Sequence, residues 1–177
     1  MKNSQVHTPS RRVWVVVGTT TFLAALAGCT GEQTEREYAI PQSACGTRIN
    51  AEELANFLPP GKKLSIKTTS KSENVVKCAI SVDGKLIVQT SQEWWNDMSV
   101  IEFARGMTLE NPEHRTDDGK YAYSGYQAFS KMTDCQRKDQ VLYAAVQASG
   151  SEHRDAEAMK KIITDYTRAV EESRACN

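Results

Sequence analysis

Val75-Val76-Lys77-Cys78-Ala79-Ile80-Ser81-Val82-Asp83-Gly84-Lys85-Leu86-Ile87-Val88-Gln89-Thr90-Ser91 is the stretch whose reading decides the fold. Two runs rich in β-branched residues, Val75 to Ser81 and Lys85 to Ser91, flank the turn former Asp83-Gly84, which is a hairpin signal. Side chains alternate between faces along a strand, so the loop length fixes which residues meet. A two-residue loop would place Ile80 opposite Ile87 and leave Leu86 and Val88 on the face of Ser81 and Ala79. A three-residue loop, Val82-Asp83-Gly84, places Ile80 opposite Leu86, Cys78 opposite Val88 and Val76 opposite Thr90. That choice gathers the apolar set, so the sequence predicts a type I turn with Gly84 left-handed in a bulge and Cys78 pointing inward.

Upstream, Leu64, Ile66 and Thr68 alternate with Lys63, Ser65 and Lys67, the period of a half-buried strand. Before it, Asn50 with Glu52 and Glu53 reads as a helix start, because an Asn side chain accepts from a free N–H and acids favour the positive end. Leu54, Phe57 and Leu58 form its apolar face, and Pro59-Pro60-Gly61 ends it. Downstream, Ser99-Val100-Ile101-Glu102 is a capping box opening a short helix to about Gly106. Thr108 to Lys120 reads as a polar loop. Tyr121 to Met132 and Gln140 to Ser149 read as two further strands. Ala156, Met159, Ile163, Tyr166 and Val170 recur at helical spacing, with Ser151 as the expected cap and Glu157 set to pair with Lys161. The expected fold class is therefore α+β: an antiparallel sheet covered by helices on one side, a two-layer sandwich with a long C-terminal helix.

The first 28 residues hold Lys2, Arg11 and Arg12 and no acid, and Val13 to Ala27 is a nearly unbroken apolar run. This is the layout of a secretory signal, too short for a comfortable membrane span. Leu26-Ala27-Gly28-Cys29 then resembles a bacterial lipobox, in which small residues precede the cysteine that takes diacylglycerol. The expected organisation is a signal over residues 1–28, a lipidated tether over 29–42 and one extracytoplasmic domain over 43–177. Cys29 is the expected lipid attachment site, holding the protein to the outer side of the cytoplasmic membrane. Arg11-Arg12 also loosely resembles a twin-arginine export signal, but the pattern departs at Trp14 and Val15, and that route would fold the domain before disulfides form.

Removing the three basic residues ahead of Cys29 from the 22 in the chain leaves 19 against 22 acids, a balance of −3. A mildly acidic chain without a basic stripe argues against nucleic acid, whose phosphates need clustered cations. Cys45, Cys78, Cys135 and Cys176 remain after the anchor. Four cysteines in an exported chain read as two disulfides with three connectivities. Cys45–Cys78 and Cys135–Cys176 are favoured, since each ties neighbouring elements without crossing. No C-x-x-C spacing is present and only His114 and His153 follow the anchor, so neither a metal nor a cofactor is expected.

Tyr38-Ala39-Ile40-Pro41, Cys45-Gly46, Leu58-Pro59-Pro60-Gly61-Lys62-Lys63-Leu64 and Ser91-Gln92-Glu93-Trp94-Trp95 resemble a family of uncharacterised actinobacterial lipoproteins. Tyr121-Ala122-Tyr123-Ser124-Gly125, Cys135 and Cys176 extend the resemblance over nearly all of the chain after the anchor. It implies an envelope lipoprotein and brings no activity with it. The order of elements is also similar to small α/β sandwiches of the PsbP type, an analogy that concerns fold alone.

No nucleophile elbow, phosphate-binding glycine loop or zinc-protease helix is present, so no catalytic residue is assigned. Trp94 and Trp95 are the candidate binding surface. Neighbours on a strand face opposite ways, so one is expected in the core and the other partly exposed, where it would offer a platform for a small ligand or an envelope protein. The competing reading is an envelope hydrolase built on His114, with Glu113, Asp117 and Asp118 in the same loop; a solvated loop explains those residues as well. The expected function is that of a non-enzymatic binding or interaction module. A concavity beside Trp94 favours that reading, whereas a cleft joining His114 to acids of another segment favours the hydrolase.

Overall fold

A computed structural model describes residues 35–173 and Cys176; the expected signal, Cys29 and the first residues of the expected tether lie outside the described residues. In chain order the elements are β1 (Ser43–Ala44), β2 (Thr47–Arg48), α1 (Ala51–Phe57), β3 (Leu64–Lys71), β4 (Val75–Val82) and β5 (Lys85–Asn96). They continue with α2 (Val100–Met107), β6 (His114–Arg115), β7 (Tyr121–Tyr123), β8 (Gln127–Arg137), β9 (Gln140–Gln147) and α3 (Ala156–Glu171). β1 and β2 form a small hairpin. The other seven strands make one sheet in the order β3-β4-β5-β9-β8-β7-β6, and every pairing is antiparallel.

The β4–β5 hairpin forms, with a different turn from the one expected. Val82 pairs with Lys85, so the loop is the two residues Asp83 and Gly84, and both have positive φ, 49° and 84°. That is the backbone of a type I′ turn, whose twist matches the flanking strands and which Asp-Gly favours. The apolar set is rescued one step later. The register shifts between Ile80 and Ser81, so that Ser81 faces Leu86 but Ile80 faces Val88. Ile87 is the extra residue of a bulge, and both Ile87 and Val88 are buried while Leu86 is 46% exposed. A two-residue turn and an apolar face exclude one another only for a regular ladder; a bulge satisfies both.

Side chains of β9 divide the core. Leu142, Ala144 and Val146 join one apolar cluster with Met159, Ile162, Ile163, Tyr166 and Val170 of α3 and with Leu54 and Phe57 of α1. Ala128 and Ala144 are small enough to let α3 approach the sheet. Full burial of each large aliphatic side chain contributes about 1.5–3 kcal/mol. Val141, Tyr143 and Ala145 point the other way and pack under Val100, Phe103 and Ala104 of α2. The Phe103 ring stacks on Tyr143 at 4.6 Å and meets Phe129 edge-on at 6.1 Å. The helices therefore do not all lie on one side as expected: α1 and α3 contribute to one cluster, while α2 covers part of the opposite face. Its capping box gave no information on which face it would choose.

Three further readings change. The run from Tyr121 to Met132 is two strands, because Ser124 donates its N–H to the Gln127 carbonyl at 2.8 Å and closes a tight turn at Gly125-Tyr126. Asp155, not Ser151, caps α3: its carboxylate accepts from the Ala158 N–H at 3.0 Å, whereas Ser151 Oγ accepts from the His153 N–H in the preceding turn. Lys161 pairs with Glu53 of α1 at 2.7 Å rather than with Glu157, so its charge ties two helices together. The helix starts at Asn50 and Ser99 are as expected.

Both expected disulfides are present. Cys45–Cys78 joins the β1–β2 turn to β4 with Cα atoms 5.9 Å apart, and Cys135–Cys176 joins β8 to the chain beyond α3 at 5.0 Å. Part of the expected tether lies on the domain. Arg36 bridges to Gly61, Tyr38 donates its hydroxyl to the Pro59 carbonyl, and Tyr38 and Ile40 pack against the core. Among the described residues no helix is long and apolar enough to cross a membrane.

Candidate functional site

Trp94 and Trp95 face opposite ways, as alternation requires. Trp95 lies on the α2 side, edge-on to Phe103 at 5.7 Å, and its indole N–H donates to Glu93 Oε2 at 3.0 Å. Glu93 is itself almost fully buried and forms an ion pair with Lys77 at 3.2 Å. This Trp is part of the wall that holds α2.

Trp94 sits on the α3 side beside a cleft of about 420 Å³, which Val76, Gln92, Gln136, Arg137 and Cys176 also line. The Arg137 guanidinium lies 4.7 Å from the Trp94 ring centre. Its two terminal nitrogens donate to Glu73 Oε1 at 3.4 Å, to Gln140 Oε1 at 2.9 Å and to Asn74 Oδ1. A planar cation clamped by three acceptors loses little freedom when it stacks on an indole, so ring and guanidinium form a stiff wall. Glu73 is 86% exposed on its side chain, which leaves that ion pair screened by solvent.

Gln92 forms the floor. Its amide donates to Thr47 Oγ1 at 2.8 Å and to the Tyr166 hydroxyl at 3.0 Å, and that hydroxyl donates to Thr90 Oγ1 at 3.1 Å. Burial pushes the Tyr166 pKa up, so the hydroxyl keeps the proton that Thr90 receives. A second cleft of about 390 Å³ shares Val76 and Gln92 with the first and is lined by Cys45, Cys78, Lys71 and Tyr166. The two disulfides thus border the two hollows, Cys135–Cys176 at one and Cys45–Cys78 at the other.

His114 is placed differently. It lies in the two-residue strand β6, half exposed, with its ring stacked on Tyr123 at 5.2 Å. Its one ion-pair partner among the described residues is the adjacent Glu113 at 3.9 Å. Asp118 is occupied within its own turn by the Thr116 hydroxyl and the Lys120 N–H, which hold its carboxyl below the usual range. No carboxylate of another segment is paired with His114, and no group of three metal-ligating side chains occurs among the described residues. His153 precedes α3 and meets the Phe57 ring edge-on at 5.4 Å.

The sequence drew attention to Trp94 but not to Arg137, Gln92 or Asn74. Arg137 stands among polar residues of a turn, Lys138-Asp139, and acquires its role only because β5 and β8 flank the same strand, β9. No protein-family model, no curated protein and no solved structure matches the chain.

Proposed function

We propose that this protein is a lipid-anchored envelope lipoprotein whose domain is a non-enzymatic binding module, and that the cleft at Trp94 is its ligand site. Cys29 in its lipobox context carries the anchor, and the segment resemblance to actinobacterial lipoproteins accords with it. The outer side of the cytoplasmic membrane is the corresponding location. The architecture is read as a two-layer sandwich of the sheet against α1 and α3, with α2 as partial cover on the second face.

The observation that carries the binding reading is the Arg137–Trp94 wall over a concave floor. Ligand sites combine apolar area with a few convergent polar groups, and here the indole supplies the first while Gln92, Gln136 and Asn74 supply the second. Among the described residues His114 is paired with no carboxylate from another segment, which weakens the hydrolase reading.

Two measurements test this. Mass spectrometry of the processed N-terminus should find diacylglycerol on Cys29, and an unmodified cysteine would remove the anchor. Titration of the protein with a panel of soluble cell-wall saccharides and short peptides should change tryptophan emission for at least one compound, with the response lost in Trp94→Ala. Loss of a measured hydrolytic activity in His114→Ala, with no emission change for any compound, would replace the binding reading by the hydrolase one.

A further inference from the structure

We infer that the β3 edge of the sheet docks on an anionic lipid surface, so that the domain stands on the membrane by this edge. The inference rests on the reading of Cys29 as lipid-bearing and adds an orientation to it.

The residues from Gly61 to Ser72 include Lys62, Lys63, Lys67 and Lys71 and no acid, and Lys85 follows the β4–β5 turn beside them. All five side chains are exposed. The lysine ion pairs of the described residues fall elsewhere, at Lys77, Lys120, Lys131 and Lys161. In a domain with a slight excess of acids, five of the seven described lysines outside those ion pairs thus gather along β3 and the β4–β5 turn, Lys138 and Lys160 being the other two. Lys67 pairs with Ala79 and shares its face, whereas Lys71 lines the cleft on the α3 side. Lys62, Lys63, Lys67 and Lys71 share the edge rather than a face, and Lys85 stands at the β4–β5 turn beside the start of that edge.

Two observations select the occupant. The ladder on this edge is interrupted by a register shift between Thr68 and Ser70, which, with the lysines, makes it a poor template for another strand. The chain also enters the domain here: Arg36 bridges to Gly61 and the Glu37 N–H donates to the Gly61 carbonyl at 2.8 Å. Cys29 is six residues before Glu35, and that length of chain reaches at most about 20 Å. The anchored end therefore keeps the start of β3 near the lipid headgroups, where their phosphates attract a row of lysines. Asp83, Glu35 and Glu37 are the acids at this corner. The Asp83 carboxylate is taken up by the N–H groups of Lys62 and Lys63.

The test uses the full-length lipidated protein in vesicles of phosphatidylcholine alone or rich in phosphatidylglycerol, with amine-reactive labelling read by mass spectrometry. On phosphatidylglycerol at about 0.01 M salt, where screening reaches ~30 Å, Lys62, Lys63, Lys67, Lys71 and Lys85 should label at least about threefold more slowly than on phosphatidylcholine. Lys138 and Lys161 should label equally on both. The protection should vanish at all five at about 1 M salt, and at Lys71 in a K62E/K63E/K67E/K85E variant that melts like the parent. Equal labelling of the five lysines on both vesicles, with the protein still floating with the lipid at high salt, would overturn the docking and leave the anchor; the lysines would then serve only to deter strand pairing. A processed N-terminus without lipid would overturn the anchor on its own.

Discussion

Replacing Gly150 with alanine should destabilise the domain more than any other single methyl addition to its glycines. Gly150 lies where the chain leaves β9 for α3, and its N–H donates to the Ile87 carbonyl at 3.1 Å. A Cβ there would sit 2.0 Å from the Leu86 carbonyl oxygen and 2.8 Å from Ile87 Cα. Both are backbone atoms, so no side chain can rotate away. Ordinary contact lies near 3.5 Å, and the two segments must part by about 1.5 Å. The Ile87 bond is then lost, about 1 kcal/mol, and overpacking adds roughly 1–3 kcal/mol. A total of about 3 kcal/mol corresponds to a fall in Tm of roughly 10 °C for a domain of this size. Urea unfolding followed by far-UV circular dichroism measures it, with the exposed Ser149→Ala as a control expected within about 0.5 kcal/mol of the parent. A loss below about 1 kcal/mol at unchanged slope would refute the argument, because the bulge at Ile87 would then be free to move.

Three other outcomes follow from the same packing. Tyr166→Phe removes the acceptor of Gln92 and the donor to Thr90 inside the core, and should cost about 1–2 kcal/mol in urea unfolding; parent-like stability would show that the floor of the cleft does not depend on this hydroxyl. The C135A/C176A pair frees a 41-residue loop and should lower stability by about 4 kcal/mol in the chain-entropy picture, a reading sunk by a loss under about 1 kcal/mol. The N–H groups of Lys62 and Lys63 hold the Asp83 carboxyl below its ordinary 3.8, so its contribution is complete above that pH and disappears as pH falls through the lowered folded value. The gap in urea midpoint between the parent and Asp83→Asn should accordingly close on acidification below 3.8, and a gap that widened would contradict the sign.

Much of the fold was legible because local chemistry is strong where it was read. Asn50 and Ser99 start their helices through side chains three residues from their targets, and the α3 stripe is a period of the chain itself. Both disulfides match the connectivity favoured among the three that the expected export signal and four cysteines left open. The β4–β5 turn was misread for a definite reason: a bulge changes register by one residue at no cost in composition, so alternation upstream of it says nothing about the loop beyond it. The break at Gly125 was hidden in an apolar run, since Tyr123 and Ala128 are buried on either side of it. At the site, Trp94 was legible as an aromatic on a strand, whereas its partners were not. Arg137 is 43 residues further along the chain and reaches the ring through the strand order β5-β9-β8.

By itself, the sequence determined the helix starts at Asn50 and Ser99, the stripe of α3, the β4–β5 pair of strands and the expectation of a lipid on Cys29, because each depends on residues close in the chain or on a signal read before folding. The tertiary structure alone decided that α2 covers the face opposite α3, that Gly150 must carry no side chain, and that Arg137 stacks on Trp94 over a floor set by Gln92. Those depend on which strands become neighbours, and neighbours in a sheet are selected by the burial of whole faces rather than by any short pattern of residues.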